Sequence, residues 1–385
     1  MAELATAATP PPMPGARARL AFGLAEVLGL PDGRQTANER SFAAEILGAA
    51  LLNAGLDDRR GVAERLARTG GAPQTLLRQL LTDDAAVAEP LLRGLASIPE
   101  PLLVEAASAS LAHRLAIAAR TDLSPGVADA VLSVGETKAF EAILPTEVAL
   151  SAARLDAAVA ASRSAPSLVP LLLARPDLQV AQALTLFWWC DASERRRLLT
   201  RFAVDRAVMQ ETLQPLFAEV FTDPDPDPVV KRLLHVIDRR HRPRGRDGEM
   251  VTLEVVERTL AVARAQATPE LCGAVGLLAG VDTLCATRVL HDPGGEPFAI
   301  LAKSIGLKRR VFASVLETAA SASGDGPAGT ETGRERMMAC FDIVTHDYAR
   351  AALRYWDWRP DGAGGPARGQ GGPSAAPTTS YLGAL

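Results

Sequence analysis

The side chains best suited to proton transfer near neutral pH are the five histidines, His113, His235, His241, His291 and His346. His235 and His241 stand six residues apart, a spacing that does not share a helical face. His291-Asp292 has the makings of half a relay, but no nucleophile stands in a motif that would use it. The acid pairs Asp57-Asp58 and Asp83-Asp84 sit where helices should begin, and capping explains them better than paired-carboxylate catalysis. Cys190, Cys272, Cys285 and Cys340 include no Cys-x-x-Cys pair, so neither zinc-ligand spacing nor a disulfide framework is present. There is no Gly-Lys dipeptide for a phosphate loop, no His-Glu-x-x-His and no Gly-x-Ser-x-Gly, and Gly273, Gly276 and Gly280 have the wrong spacing for a dinucleotide loop. The expectation is a chain that is not an enzyme and that uses no metal and no cofactor.

Binding chemistry has better candidates. Arg195, Arg196 and Arg197, with Arg201 close behind, form one basic run, and Arg239, Arg240, Arg242, Arg244 and Arg246 form another. All four tryptophans lie in two short segments, Phe187-Trp188-Trp189 and Tyr355-Trp356-Asp357-Trp358. Consecutive aromatics on a helix do not all face one core, so Trp188 and Trp189 are candidates for a partner surface or for sealing the end of a stack. A third segment, residues 298–315, reads like a helix-turn-helix: Ala302, Gly306 and Phe312 have the spacing of first helix, turn and packed second helix. Lys308, Arg309 and Arg310 would then open the recognition helix. That second helix continues with Phe312, Ala313 and Ser314 rather than base-reading amides, and any tight helix-Gly-helix pair gives the same pattern.

The elements that must position these groups are helices. Apolar residues are 48% of the 385 and aromatics only 4%, a balance that disfavours sandwiches and barrels. Charged residues are 22% and the net charge is −4, so the chain as a whole is not a polybasic nucleic-acid binder. Val229, Val230, Leu233, Leu234, Val236 and Ile237 recur at helical spacing, as do Leu198, Leu199 and Phe202. Ser124-Pro125 and Thr268-Pro269 read as N-caps with proline in the first turn, and Asp191 with Glu194 as a capping box. Alternating prolines at 224, 226 and 228 forbid helix and mark a linker over 222–228; further breaks fall at 239–247 and 321–333.

One pattern recurs: Val-Ala, an acid or Gln, any residue, then Leu or Val, beginning at Val62, Val87, Val127 and Val180. An Asp precedes each copy, at Asp58, Asp84, Asp122 and Asp177, where it could cap the helix. The copies begin 25, 40 and 53 residues apart, irregular but including the step of HEAT and armadillo repeats. The fold expected is all-α: an irregular HEAT-like solenoid over 17–221, the 222–228 linker, a smaller helical region over 229–358, and disordered termini at 1–16 and 359–385. These repeats, the segment from Phe187 to Ala203 and the closing Leu353 to Trp358 resemble the DUF2336 family, bacterial HEAT-like proteins of unknown function found mainly in alphaproteobacteria. The resemblance covers residues 40 to 358 and implies a fold and a lineage; it brings no active-site residues with it.

No window offers 18 uncharged apolar residues, so no membrane insertion is expected. The N-terminus lacks the order of a secretory signal, and a cytoplasmic protein is expected. The function expected is a scaffold or adaptor binding protein partners through a solenoid surface. A DNA-associated regulator using residues 298–315 is the alternative, with nucleic acid the less favoured partner.

Overall fold

In a computed structural model, residues 15–30, 36–70, 72–202, 243, 249–323 and 329–358 are described. Among them the chain is all-α, with twenty helices and no β-strand. It divides into two compact units, Met1–Ala158 and Val159–Leu385. The expected linker at 222–228 and helix at 229–237 lie outside the described residues, as do residues 1–14 and 359–385 and the Arg239–Asp247 turn except Pro243.

The first unit is built from α1 (Ala16–Leu28), α2 (Ala37–Leu51), α3 (Leu56–Thr69), α4 (Gln74–Leu81), α5 (Ala85–Gly94), α6 (Glu100–Ala107), α7 (Leu111–Ala118), α8 (Pro125–Val131) and α9 (Thr137–Ile143). The division between units falls within α10 (Ala152–Ser162). Odd helices stack on odd ones, α1 on α3, α3 on α5, α5 on α7 and α7 on α9; even ones stack on even, α2 on α4, α4 on α6 and α6 on α8. Sequence neighbours such as α4 and α5 join the two rows. The principal partners of each helix therefore lie within two helices of it, an ordering compatible with the expected solenoid.

The Val-Ala copies supply the contact between helices. Val62, Ala63, Val87, Ala88, Val127 and Ala128 are all fully buried, as are Leu66, Leu91 and Val131. The small alanines let neighbouring backbones approach while valine and leucine fill the seam. The fourth copy departs from this, because Val180 is buried but Ala181 is half exposed. The capping role of the preceding Asp holds for Asp84 alone, whose carboxylate accepts from the Ala86 amide at 2.9 Å. Asp58 lies inside the first turn of α3, whose N-cap is Gly55. Ser124 caps α8, and Gln179 occupies the N-cap of α12. Asp122 and Asp177 instead take bidentate guanidinium bonds, from Arg120 at 2.7 and 2.8 Å and from Arg175 at 2.7 and 2.6 Å. Arg120 also donates to the Leu92, Leu95 and Ala96 carbonyls at the end of α5, so it satisfies acceptors that the helix leaves open.

The second unit continues with α11 (Leu168–Ala174), α12 (Val180–Leu186), α13 (Ala192–Phe202), α14 (Leu253–Ala265), α15 (Pro269–Ala279), α16 (Thr283–Leu290), α17 (Glu296–Ile305), α18 (Arg309–Ser323), α19 (Glu331–Ile343) and α20 (His346–Trp358). Helix α17 is its centre and packs against α15, α16, α19 and α20. Phe298, Ala299, Ile300, Leu301 and Ala302 are successive and all fully buried, as befits a helix apolar on every side. Thr268 caps α15 by accepting from the Leu271 amide, with Pro269 in the first turn. Asp191 and Glu194 form the reciprocal capping box of α13. The break expected at 321–333 is shorter than its sequence suggests: α18 runs to Ser323, and Thr330 caps α19 by accepting from the Gly333 amide.

Candidate functional site

The sequence places Arg195 in a basic run, but the fold separates that run. Successive residues on a helix are rotated by about 100°, so Arg195 shares the inward face of α13 with Leu198 and Leu199, while Arg196 and Arg197 are exposed. The Arg195 guanidinium is buried and fully engaged. It donates to both oxygens of Asp292 at 2.8 and 2.7 Å, to Glu296 Oε2 at 2.7 Å and to the Phe187 carbonyl at 3.0 Å. Burial works against its charge, yet Asp292 and Glu296 outweigh that and hold its pKa above the usual arginine value. Arg195 is thus not part of an exposed partner-binding face.

Its two acids come from the segment Asp292-Pro293-Gly294-Gly295-Glu296, which joins α16 to α17. Asp292 Oδ2 also accepts from the Gly294 and Gly295 amides at 3.0 and 2.8 Å. Gly295 is the N-cap of α17 with φ +84°, a left-handed conformation that suits glycine. A Cβ there would come within 2.7 Å of Met337 Sδ and 2.9 Å of Arg264 Nη2. Arg264, on α14, is 8% exposed and donates to the Leu290 carbonyl at 2.8 Å with its guanidinium over the Phe298 ring. Arg336, on α19, reaches the Gly294 carbonyl at 3.2 Å. Sequence reading missed this constellation. The signal available was the Asp-Pro-Gly-Gly-Glu segment and the position of Arg195 on an apolar stripe. The relay read from His291-Asp292 does not form, because His291 Nδ1 lies 2.9 Å from the Thr287 carbonyl while Asp292 turns to Arg195.

The aromatic candidates are used inside the second unit. Trp188 packs against Trp356 with ring centroids 4.7 Å apart and planes tilted by 56°, and the Arg288 guanidinium covers the Trp188 ring at 3.9 Å. Trp189 donates its indole N–H to Ser162 Oγ at 2.9 Å, and Trp356 donates to the Leu184 carbonyl at 2.9 Å. The Tyr355 and Thr185 hydroxyls meet at 3.0 Å. Trp188 and Trp189 are half-buried, so each keeps an edge at the surface. Arg239 and Arg240 lie outside the described residues. In the 298–315 segment, Gly306 turns with φ +91° between α17 and α18, and Phe298 and Phe312 pack 6.0 Å apart. Lys308, Arg309 and Arg310 are exposed at the start of α18, and Arg309 pairs with Asp342 at 2.9 Å. Among the described residues no group of three or more His, Cys, Asp or Glu side chains could hold a metal ion.

A family model described as an uncharacterised protein conserved in bacteria, DUF2336, matches residues 87–354. The chain belongs to the DUF2336 family. The DUF2336 match opens at the second Val-Ala copy, so α1 to α4 and the copy at Val62 precede it, and it takes in Arg195, Arg264, Asp292, Glu296 and Arg336. It ends at Arg354, immediately before Tyr355 and Trp356. No curated protein and no solved structure matches this DUF2336 chain.

Proposed function

We propose that this protein is a non-enzymatic, cytoplasmic scaffold that binds protein partners over the surface of its stacked helices. The observation that supports this reading most is the two-row order of α1 to α9. Helices joined mainly to near neighbours offer a long surface whose length grows with their number, and such a surface binds without a deep pocket. The arginines that could have served chemistry are largely spent on the fold, as Arg120, Arg114 and Arg195 are. Arg196 and Arg197 remain exposed on α13 of the second unit and offer a protein partner a separate basic patch. The test is crosslinking in the native cell with wild type and with R196E/R197E. A discrete set of proteins lost in the charge-reversed variant supports the scaffold, and an identical set overturns the role given to these arginines.

The second reading, a DNA-associated regulator, is favoured by the exposed Lys308, Arg309 and Arg310 following the Gly306 turn. Against it stand the Arg309–Asp342 pair, the acidic Glu317 further along the exposed face of α18, and the net charge of −4. Phosphate contacts release counterions, so duplex binding through these residues would weaken steeply with salt, and changing all three to Ala would reduce that slope. We expect no binding beyond a weak nonspecific level. Saturable, sequence-selective binding at physiological salt, lost in the triple variant, would replace the scaffold reading.

A further inference from the structure

The Arg195 cluster leaves donors unmet. Arg264 is more than nine-tenths buried, and its Nε and Nη2 have no hydrogen-bond partner. Arg336 Nε is buried without a hydrogen-bond partner as well; it pairs with Glu296 Oε1 at 3.9 Å, too long for a hydrogen bond. Both guanidinium groups converge on the same two residues. Arg336 Nη2 donates to the Gly294 carbonyl, and Arg264 Nη2 stands 2.9 Å from where a Gly295 Cβ would be. Asp292 is committed to Arg195 and to two glycine amides, and Glu296 gives Oε2 to Arg195, leaving Oε1 for the long pair with Arg336. Three arginines therefore face two acids at the N-terminus of α17, where the helix dipole adds further positive potential. A buried charged donor left unpaired is costly, so a native fold keeps it only where something outside the chain satisfies it or where it does work.

We propose that Arg264 and Arg336, beside Gly294-Gly295, form a binding site for a small tetrahedral oxyanion of the phosphate class. Such an ion carries acceptors on every oxygen and matches the guanidinium fork. The side chain of Arg336 is 38% exposed, which gives the ion its way in from solvent. Burial lowers the Arg264 pKa, and a bound anion would restore it.

The test is the thermal midpoint of the full chain titrated with sodium phosphate against sodium chloride at matched ionic strength. A ligand bound only by the folded state raises the midpoint, and above its Kd the rise follows the logarithm of its concentration. Phosphate is expected to do so and chloride not. Arg336→Gln, at a half-exposed position that should fold normally, is expected to weaken phosphate binding about tenfold or more. Arg264→Met should do the same, and Arg93→Gln, exposed on α5, should leave binding unchanged. Glycerol phosphate in place of inorganic phosphate tells the sources apart: equal or tighter binding assigns the site to a phosphate monoester, weaker binding to the free ion. No phosphate-specific rise, or a rise that R336Q leaves intact, would overturn the site and leave those donors to water.

Discussion

At the scale of single residues the second unit turns on Arg195. Removing one partner of a buried ion pair leaves the other charge uncompensated, so Arg195→Met should destabilise the protein by about 3–5 kcal/mol. Adding Asp292→Asn and Glu296→Gln to that variant should recover only part of the loss, since the two carboxylates also offset the buried charge of Arg264. Urea unfolding followed by tryptophan fluorescence measures both, because all four tryptophans lie in the second unit; equal stability of R195M and wild type would remove the cluster's structural role. His113 makes a pH prediction. Its ring is buried with Nδ1 2.8 Å from Ser110 Oγ, and burial lowers its pKa against the opposing pull of Asp83 and Asp84. The unfolded chain takes up this proton at about pH 6.5. The neutral ring therefore contributes stability that is fully present above that pH and is lost as pH falls below it. His113→Gln should flatten this part of the stability profile, and a slope that persists unchanged would assign it to other groups. Such residues were poorly legible in the sequence for a physical reason. Arg195 finds Asp292 and Glu296 97 and 101 positions away, and no local rule reports a pairing made by the fold. What was legible is which way Arg195 faces, since it stands three and four residues before Leu198 and Leu199.

At the scale of elements, local rules worked well because caps are local. Ser124-Pro125, Thr268-Pro269 and the Asp191–Glu194 box all begin helices where their sequence says they should. The Val-Ala copies were legible for the same reason, and they separate into two kinds that mutation should distinguish. Ala128 is fully buried, so Ala128→Leu forces extra methylenes into a filled seam and should cost about 1–3 kcal/mol. Ala181 is half exposed, and Ala181→Leu should change stability by no more than about 0.5 kcal/mol. Val127→Asp, which buries an unpaired carboxylate between helices, should cost several kcal/mol. Thermal midpoints of the three variants check all of this; a V127D protein that melts like its parent would dissolve the repeat assignment. The Asp that precedes each copy misled, because a carboxylate near a helix start also has the choice of a nearby arginine, as Asp122 and Asp177 show with Arg120 and Arg175.

At the scale of the whole molecule, the four cysteines all fall in the second unit and all are buried. Burial raises their thiols where a shift is resolved, the Cys190 thiol to about 12, so little thiolate exists in the folded state. A thiol reagent should therefore label the native protein very slowly and label it at the rate at which the second unit opens. Fast labelling of native protein would contradict that burial. The first unit invites a different question, that of how it could be shortened. Its helices touch chiefly those one or two places away, and the outermost helices α1 and α2 already leave Leu20, Val27, Phe42 and Ile46 exposed. Cutting the chain just before Leu56 would expose a face of the same kind on α3 and α4 rather than open a core. The row is modular in the way a ladder is: losing the end rungs lowers its total strength by an increment and leaves the remaining rungs in register.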